Sequence, residues 1–400
     1  MTTRSLALAC LLLGEILPAH AAEFTFGGLN LSVPDGFTIE RAAHAPLVDR
    51  PIMADLDEEG RLYVADSSGS NADVETQLRE KPHRIVRLED TDADGVYDRS
   101  VVFAEDLMFP EGVLWTRGAL YVSAPPVIWK LTDTDDDGIC DEREVWHDGK
   151  TLTGCANDLH GPYLGRDGWI YWCKGAFAEQ TYPKPNGSSF ASRAAHIFRK
   201  HPDGGFVEPV MTGGMDNPVE VVFSPEGERF FTTTFLQHPG GGRRDGIIHA
   251  IYGGVYGKDH DVLEGHPRTG DLMPVMTHLG PAAACALMRC ESEGLGKNFQ
   301  GNLFASLFNM RKVTRHELVP DGATYKTIDH DFLTGDHIDF HPTDILEDAD
   351  GSLLVIDTGG WYKLCCPTSQ LPKPEVLGAI YRIRRTDAPT VMDPFGKELN

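Results

Sequence analysis

The residues with the clearest chemical potential stand in the segment Asn157-Asp158-Leu159-His160-Gly161-Pro162. A histidine two residues after an aspartate puts both side chains on one side of an extended strand. That pair suits proton abstraction from a hydroxyl, with Asp158 orienting the His160 ring. Three more acids, Glu111, Glu220 and Asp344, each stand seven residues before a glycine of a recurring motif, and His341 lies three before Asp344. If that motif marks equivalent positions, these acids and imidazoles converge on one place, as a general acid/base or metal site requires. The opposing expectation is that polar residues line a water-filled channel and do no chemistry.

Positive charge beside aromatic rings occurs twice, in Asn309-Met310-Arg311-Lys312 and in Trp361-Tyr362-Lys363 ahead of Cys365-Cys366. Arg311, Lys312 and Lys363, with Trp361 to stack, could clamp a planar polyanionic ligand. Two further segments have calcium-loop spacing. One carries Asp90, Asp92, Asp94, Gly95 and Asp98; the other carries Asp133, Asp135, Asp137, Gly138 and Asp141. Carboxylates at alternate positions wrap a hard cation when the following glycine permits the sharp turn. Neither loop has flanking EF-hand helices, so both read as structural calcium loops on the rim of a β-fold. Otherwise they are ordinary Asp-rich turns.

The elements that must position these residues repeat. The motif runs GRLYVAD from Gly60, GALYVSA from Gly118, GWIYWCK from Gly168, GERFFTT from Gly227, GNLFASL from Gly301 and GSLLVID from Gly351. Six copies at intervals of 50 to 74 residues, each followed by a second short strand, predict a six-bladed β-propeller of about four strands per blade. A β-helix needs a shorter period, and a helical repeat needs a 3.6-residue one. The propeller is expected over residues 22–385, with 386–400 as a tail or the start of a linker.

Met1 to Ala21 has the basic start, short apolar run and Ala19-His20-Ala21 cut site of a secretory signal over 1–21, which predicts a periplasmic or secreted protein without a membrane span. With 36 Lys and Arg against 60 Asp and Glu, the net charge of -24 disfavours a nucleic-acid partner and admits calcium and neutral ligands. Of eight cysteines, Cys10 falls in the signal, leaving an odd number and no C-x-x-C pair. The sequence therefore encodes neither a covalent haem site nor a zinc ribbon.

The stretches GMDNPVEVVF, HAIYGGVYGK, PVMTHLGPAA, FHPTDILEDADGSLLV and DTGGWYKLCCPTSQL resemble the membrane-bound dehydrogenase family of planctomycetes, over about Val33 to Arg385. The resemblance implies a propeller related to soluble quinoprotein glucose and sorbosone dehydrogenases. Such enzymes bind pyrroloquinoline quinone and calcium, oxidise sugar hydroxyls with a channel histidine as base, and grip the quinone's carboxylates with basic residues. Counted back from Gly165, the slot of the quinoprotein histidine holds Asn157 here, which joins the candidate cofactor contacts. Family members often carry a cytochrome c domain as electron acceptor.

The expected function is therefore an exported quinoprotein-type oxidoreductase acting on a sugar or polyol, with His160 as base. Two alternatives stand beside it. One is a propeller that binds carbohydrate or protein without chemistry. The other is a lactonase- or esterase-like hydrolase whose central calcium is held by Glu111, Glu220 and Asp344.

Overall fold

The computed structural model describes residues 21–154, 159–237, 241–360 and 373–388. The chain folds as a six-bladed β-propeller. Blade 1 comprises Pro51–Leu56, Leu62–Asp66, His83–Glu89 and Arg99–Leu107, and blade 2 comprises Gly112–Thr116, Ala119–Ala124, Val127–Thr132 and Glu142–Asp148. Blade 3 is built on His160–Leu164, Ile170–Lys174, Ala195–His201 and Gly204–Gly213, with Val255–Tyr256 added in parallel at its edge. Blade 4 holds Asn217–Phe223, Arg229–Thr234, Asp245–His249 and Thr277–Gly280. Blade 5 holds Ala284–Arg289, Leu303–Leu307, Lys312–Asp321 and Thr324–Gly335. Blade 6 takes Pro342–Glu347, Leu353–Asp357 and Ala379–Arg385 from the end of the chain and its outermost strand, Phe37–His44, from the beginning. That antiparallel pairing, Phe37 against Arg385 through His44 against Ala379, closes the ring.

Each repeated motif is the turn and second strand of a blade. All six motif glycines have positive φ, from 70° to 88°, which an L side chain adopts only with strain. This is why glycine recurs there. The second strands do not alternate buried and exposed residues: Leu62–Asp66, Ile170–Lys174, Leu303–Leu307 and Leu353–Asp357 are buried throughout. Each lies in a sheet packed between two others, so both faces are covered and the sequence reads as a near-continuous apolar run.

Strand direction alternates within a blade. The glycine turns and the loops from third to fourth strand therefore share one face, the turn face. The loops from second to third strand and the connections between blades share the other, the loop face. Blade 3 carries an inserted hairpin on the loop face, Gln180–Pro183 with Ser189–Ser192. No helix among the described residues is long and apolar enough to cross a membrane.

Candidate functional site in the propeller channel

Five of the six inner strands carry a one-residue bulge, in blades 1, 3, 4, 5 and 6. A bulge leaves one residue unpaired and re-aims it, here toward the channel and the neighbouring blade. Glu220 falls within such a bulge and Asp344 directly borders one. Glu111, in blade 2, donates its own backbone N–H to the Ser123 carbonyl at 2.8 Å, and His160 pairs with Cys173. These four residues stand opposite equivalent positions of their second strands, so they share one level around the channel.

His160 joins three blades. Its Nδ1 lies 3.2 Å from Glu111 Oε2 and its Nε2 lies 2.9 Å from Asn217 Oδ1. Burial lowers the His160 pKa to about 4, so the ring is neutral at pH 7 and has a single N–H. Of the two contacts only the one to Asn217 has hydrogen-bond geometry, so the ring proton serves Asn217 Oδ1 from Nε2, and it sits on Nδ1 toward Glu111 only when the Asn217 amide turns its nitrogen to the ring. The close approach that makes this contact depends on Gly112, where a Cβ would come within 2.0 Å of the Gly161 carbonyl oxygen.

The channel acids bind the blades to one another. Asp344 Oδ2 accepts the Ala54 N–H at 2.9 Å, joining blade 6 to blade 1. Asp55 Oδ2 accepts the Trp115 N–H at 2.7 Å, joining blade 1 to blade 2. His160 links blades 2, 3 and 4, and Glu220 Oε2 accepts the Leu287 N–H of blade 5 at 3.0 Å. The sixth joint is closed by Glu347 of blade 6, which accepts the N–H groups of Glu291 and Ser292 at 2.6 and 3.0 Å. Asp55, Glu220 and Asp344 also line a cavity of about 880 Å³ reached from the turn face. Burial raises the Asp55 pKa to about 7 and that of Asp344 to about 6; burial and the nearby Asp344 charge push Glu220 up as well.

Sequence reasoning missed Asp55, Asn217 and Glu347. Counting back from the motif glycine finds a single row of the channel and in blade 1 lands on Met53, which lines the cavity without charge. The expected partner of His160, Asp158, lies outside the described residues, as do Asn157, Trp361 and Lys363. The carboxylate that His160 does meet comes from another blade.

On the loop face, Lys312 is tied to Asp331 at 2.6 Å. Arg311 is different: its Nε is buried without a hydrogen-bond partner, and its backbone is held at φ 52°. His341 is buried beside it, donates Nδ1–H to the Gly359 carbonyl at 2.5 Å and stacks on Phe308 at 4.4 Å.

The two aspartate loops lie on the turn face and have matching backbones, with φ of 60° and 96° at Ala93 and Gly95 and 61° and 94° at Asp136 and Gly138. Carboxylate oxygens of Asp90, Asp92 and Asp94 gather within 4.8 Å of one another, as do those of Asp133, Asp135 and Asp141. The two loops are tied alike: Asp98 and Asp141 accept the Thr91 and Thr134 hydroxyls, each at 2.6 Å, and Asp94 and Asp137 accept the Val96 and Ile139 N–H groups, each at 2.8 Å. Cys140, Cys173, Cys285 and Cys290 are unbridged.

Residues 29–387 match a family described as a domain of unknown function, DUF7133. The chain belongs to that family. A search of the curated proteins finds no match. Among solved structures, the chain is similar to the holo form of the PQQ domain of pyranose dehydrogenase from Coprinopsis cinerea, with 13% identity, a TM-score of 0.60, and 89% of this chain and 97% of that one covered. It is also similar to the PQQ-bound aldose sugar dehydrogenase of Streptomyces coelicolor, at 12% identity and a TM-score of 0.55 over 88% and 100% of the two chains. A protein described as a gluconolactonase follows at 14% identity and a TM-score of 0.51, over 90% and 95%. At these identities the likeness establishes the propeller fold, shared by oxidoreductases and a lactonase-like protein alike.

Proposed function

We propose that this chain is an exported oxidoreductase of the quinoprotein type that oxidises a hydroxyl of a sugar or polyol. The observation that carries the reading is the His160–Glu111 pair, a neutral imidazole set against a carboxylate at the channel. A base needs an acceptor nitrogen and a partner that stabilises the ring once it is charged. Glu111 at Nδ1 provides the second, and Nε2 becomes the acceptor when Asn217 yields its place to a substrate hydroxyl. The unpartnered Nε of Arg311 fits one carboxylate of a quinone such as pyrroloquinoline quinone. When bound, such a quinone supplies the acceptor for the two electrons and hydrogen leaving the carbinol carbon. The roles of Asp158 toward His160, and of Asn157, Trp361 and Lys363 toward the cofactor, are proposed from the sequence alone, since all four lie outside the described residues. Calcium belongs to the two aspartate loops in this reading, and a separate cytochrome c is the proposed electron acceptor.

A second reading follows from the cavity lined by Asp55, Glu220 and Asp344. Three carboxylates on one cavity, Glu220 and Asp344 buried and Asp55 half-buried, suit a divalent cation, and a calcium-dependent lactonase- or esterase-like hydrolase would use it to polarise a carbonyl. Glu111, turned toward His160, would not be among its ligands.

Titration of the calcium-loaded protein with pyrroloquinoline quinone, followed by absorbance and then by dye reduction with a panel of sugars, separates the readings. The oxidoreductase predicts saturable binding and dye reduction that falls roughly 10²- to 10⁴-fold in His160→Ala, with quinone binding retained. Absence of quinone binding overturns it. Calcium-dependent lactone hydrolysis without quinone would establish the second reading, and saturable sugar binding without turnover would mark a binding propeller.

A further inference from the structure

Away from the channel, on the loop face of blade 3, Ser192 ends the inserted hairpin and is 95% buried, with a relative exposure of 5%. Its Oγ lies 2.6 Å from His196 Nε2 and 2.8 Å from His266 Nε2. The proton positions follow from the outer partners. His196 Nδ1 is 3.0 Å from the Met211 carbonyl oxygen, with the Thr212 hydroxyl at 3.3 Å, and a carbonyl can only accept. The proton of the His196 ring is therefore on Nδ1. Burial keeps this ring neutral, so Nε2 is a bare lone pair and the Ser192 hydroxyl donates to it. Serine Oγ then accepts from the Ala194 N–H at 3.0 Å and from His266 Nε2–H.

We propose that Ser192 is a nucleophilic serine, with His196 as its base and His266 as a removable cover, and that it takes the acyl group of a small carboxylic ester. A nucleophile bonded to a base, and a base fixed by a third group, is the arrangement that activates a serine hydroxyl. Burial first, and then the positive charge of Lys174, lowers the pKa of both histidines; the Lys174 ammonium is itself buried and donates to the Gly175 and Ala194 carbonyl oxygens at 2.8 and 3.1 Å. His266 is only partly buried and belongs to the long connection that follows Val255–Tyr256, whereas His196 is fully buried in a blade strand. Departure of His266 frees one Oγ lone pair for attack. In the step, Oγ bonds to the ester carbonyl carbon while its proton passes to His196 Nε2. The ester C–O bond then breaks, the alcohol leaves with that proton, and water hydrolyses the acyl-serine.

The test uses the full-length protein and a fluorophosphonate probe, with trypsin labelled in parallel and adducts located by peptide mass spectrometry. This readout is independent of the channel chemistry proposed above. We expect one adduct, on Ser192, absent in Ser192→Ala, formed at least tenfold more slowly in His196→Gln and several-fold faster in His266→Ala. Ser192 left unmodified in both the wild-type protein and His266→Ala overturns the proposal. So does a labelling rate that His196→Gln leaves unchanged.

Discussion

Asp55 is the residue whose ionisation most directly couples the channel to pH. In an unfolded chain its carboxyl loses its proton near pH 4, whereas in the folded protein burial raises that value to about 7. Between those values the folded state keeps a proton that the unfolded state has released. Stability from this residue therefore falls as pH rises from 4 to 7, by at most ~1.4 kcal/mol per pH unit. Asp55→Asn removes that dependence but leaves one oxygen where the carboxylate served both the Trp115 and Leu56 N–H groups. The variant should melt below the wild-type protein at pH 5, and the gap should close as pH approaches 7.5. Thermal melts at a series of pH values check this, and a gap constant with pH would contradict it. None of this was legible in the sequence, because the bulge in Pro51–Leu56 shifts the phase between chain position and orientation. His160 was legible as a channel histidine. Glu111 was legible as a channel acid by its spacing from the motif glycine, but its pairing with His160 was not, since it reaches the ring across a joint between blades that no local spacing encodes.

At the scale of elements, the repeated turns were the most readable feature, because positive φ demands glycine at the same place in every blade. The fourth strands were less so: they carry no shared motif, and one of them comes from the other end of the chain. The aspartate loops follow from their spacing, and the structure sorts their members. Asp90 spends both oxygens on the N–H groups of Asp94 and Gly95, closing the loop. Asp92 gathers with Asp90 and Asp94 yet makes no such closing bond, and its counterpart Asp135 accepts only the Asp137 N–H at 3.3 Å, which an asparagine oxygen keeps, so these are the members to replace by asparagine. Millimolar calcium should raise the melting temperature of the wild-type protein by several degrees, as binding to the folded state alone stabilises by ~2.7 kcal/mol at a hundredfold excess over Kd. The double variant Asp92→Asn, Asp135→Asn should lose most of that rise while melting no lower than the wild type without calcium. A wild-type melting point indifferent to calcium would make both loops ordinary turns.

For the whole molecule, the six joints around the channel have a common design, in which a polar side chain of one inner strand reaches a neighbouring blade. The acids that sequence reasoning assigned to chemistry thus also hold the ring together, and a loss of activity on replacing Glu220 or Asp344 needs a melting curve beside it. His160→Ala shares that requirement, since it touches two joints at once.

The ring closes through a strand from one end of the chain paired with a strand more than 330 residues away. Blade 6 cannot be completed from neighbouring sequence, so closure waits until the far end of the chain has emerged and folded. Without Phe37–His44, Ala379–Arg385 becomes an open edge, and an open edge pairs with whatever strand arrives. A chain lacking residues 21–44, mixed with the intact protein, should capture that strand from a neighbour, turning a lock within one molecule into an exchange between two.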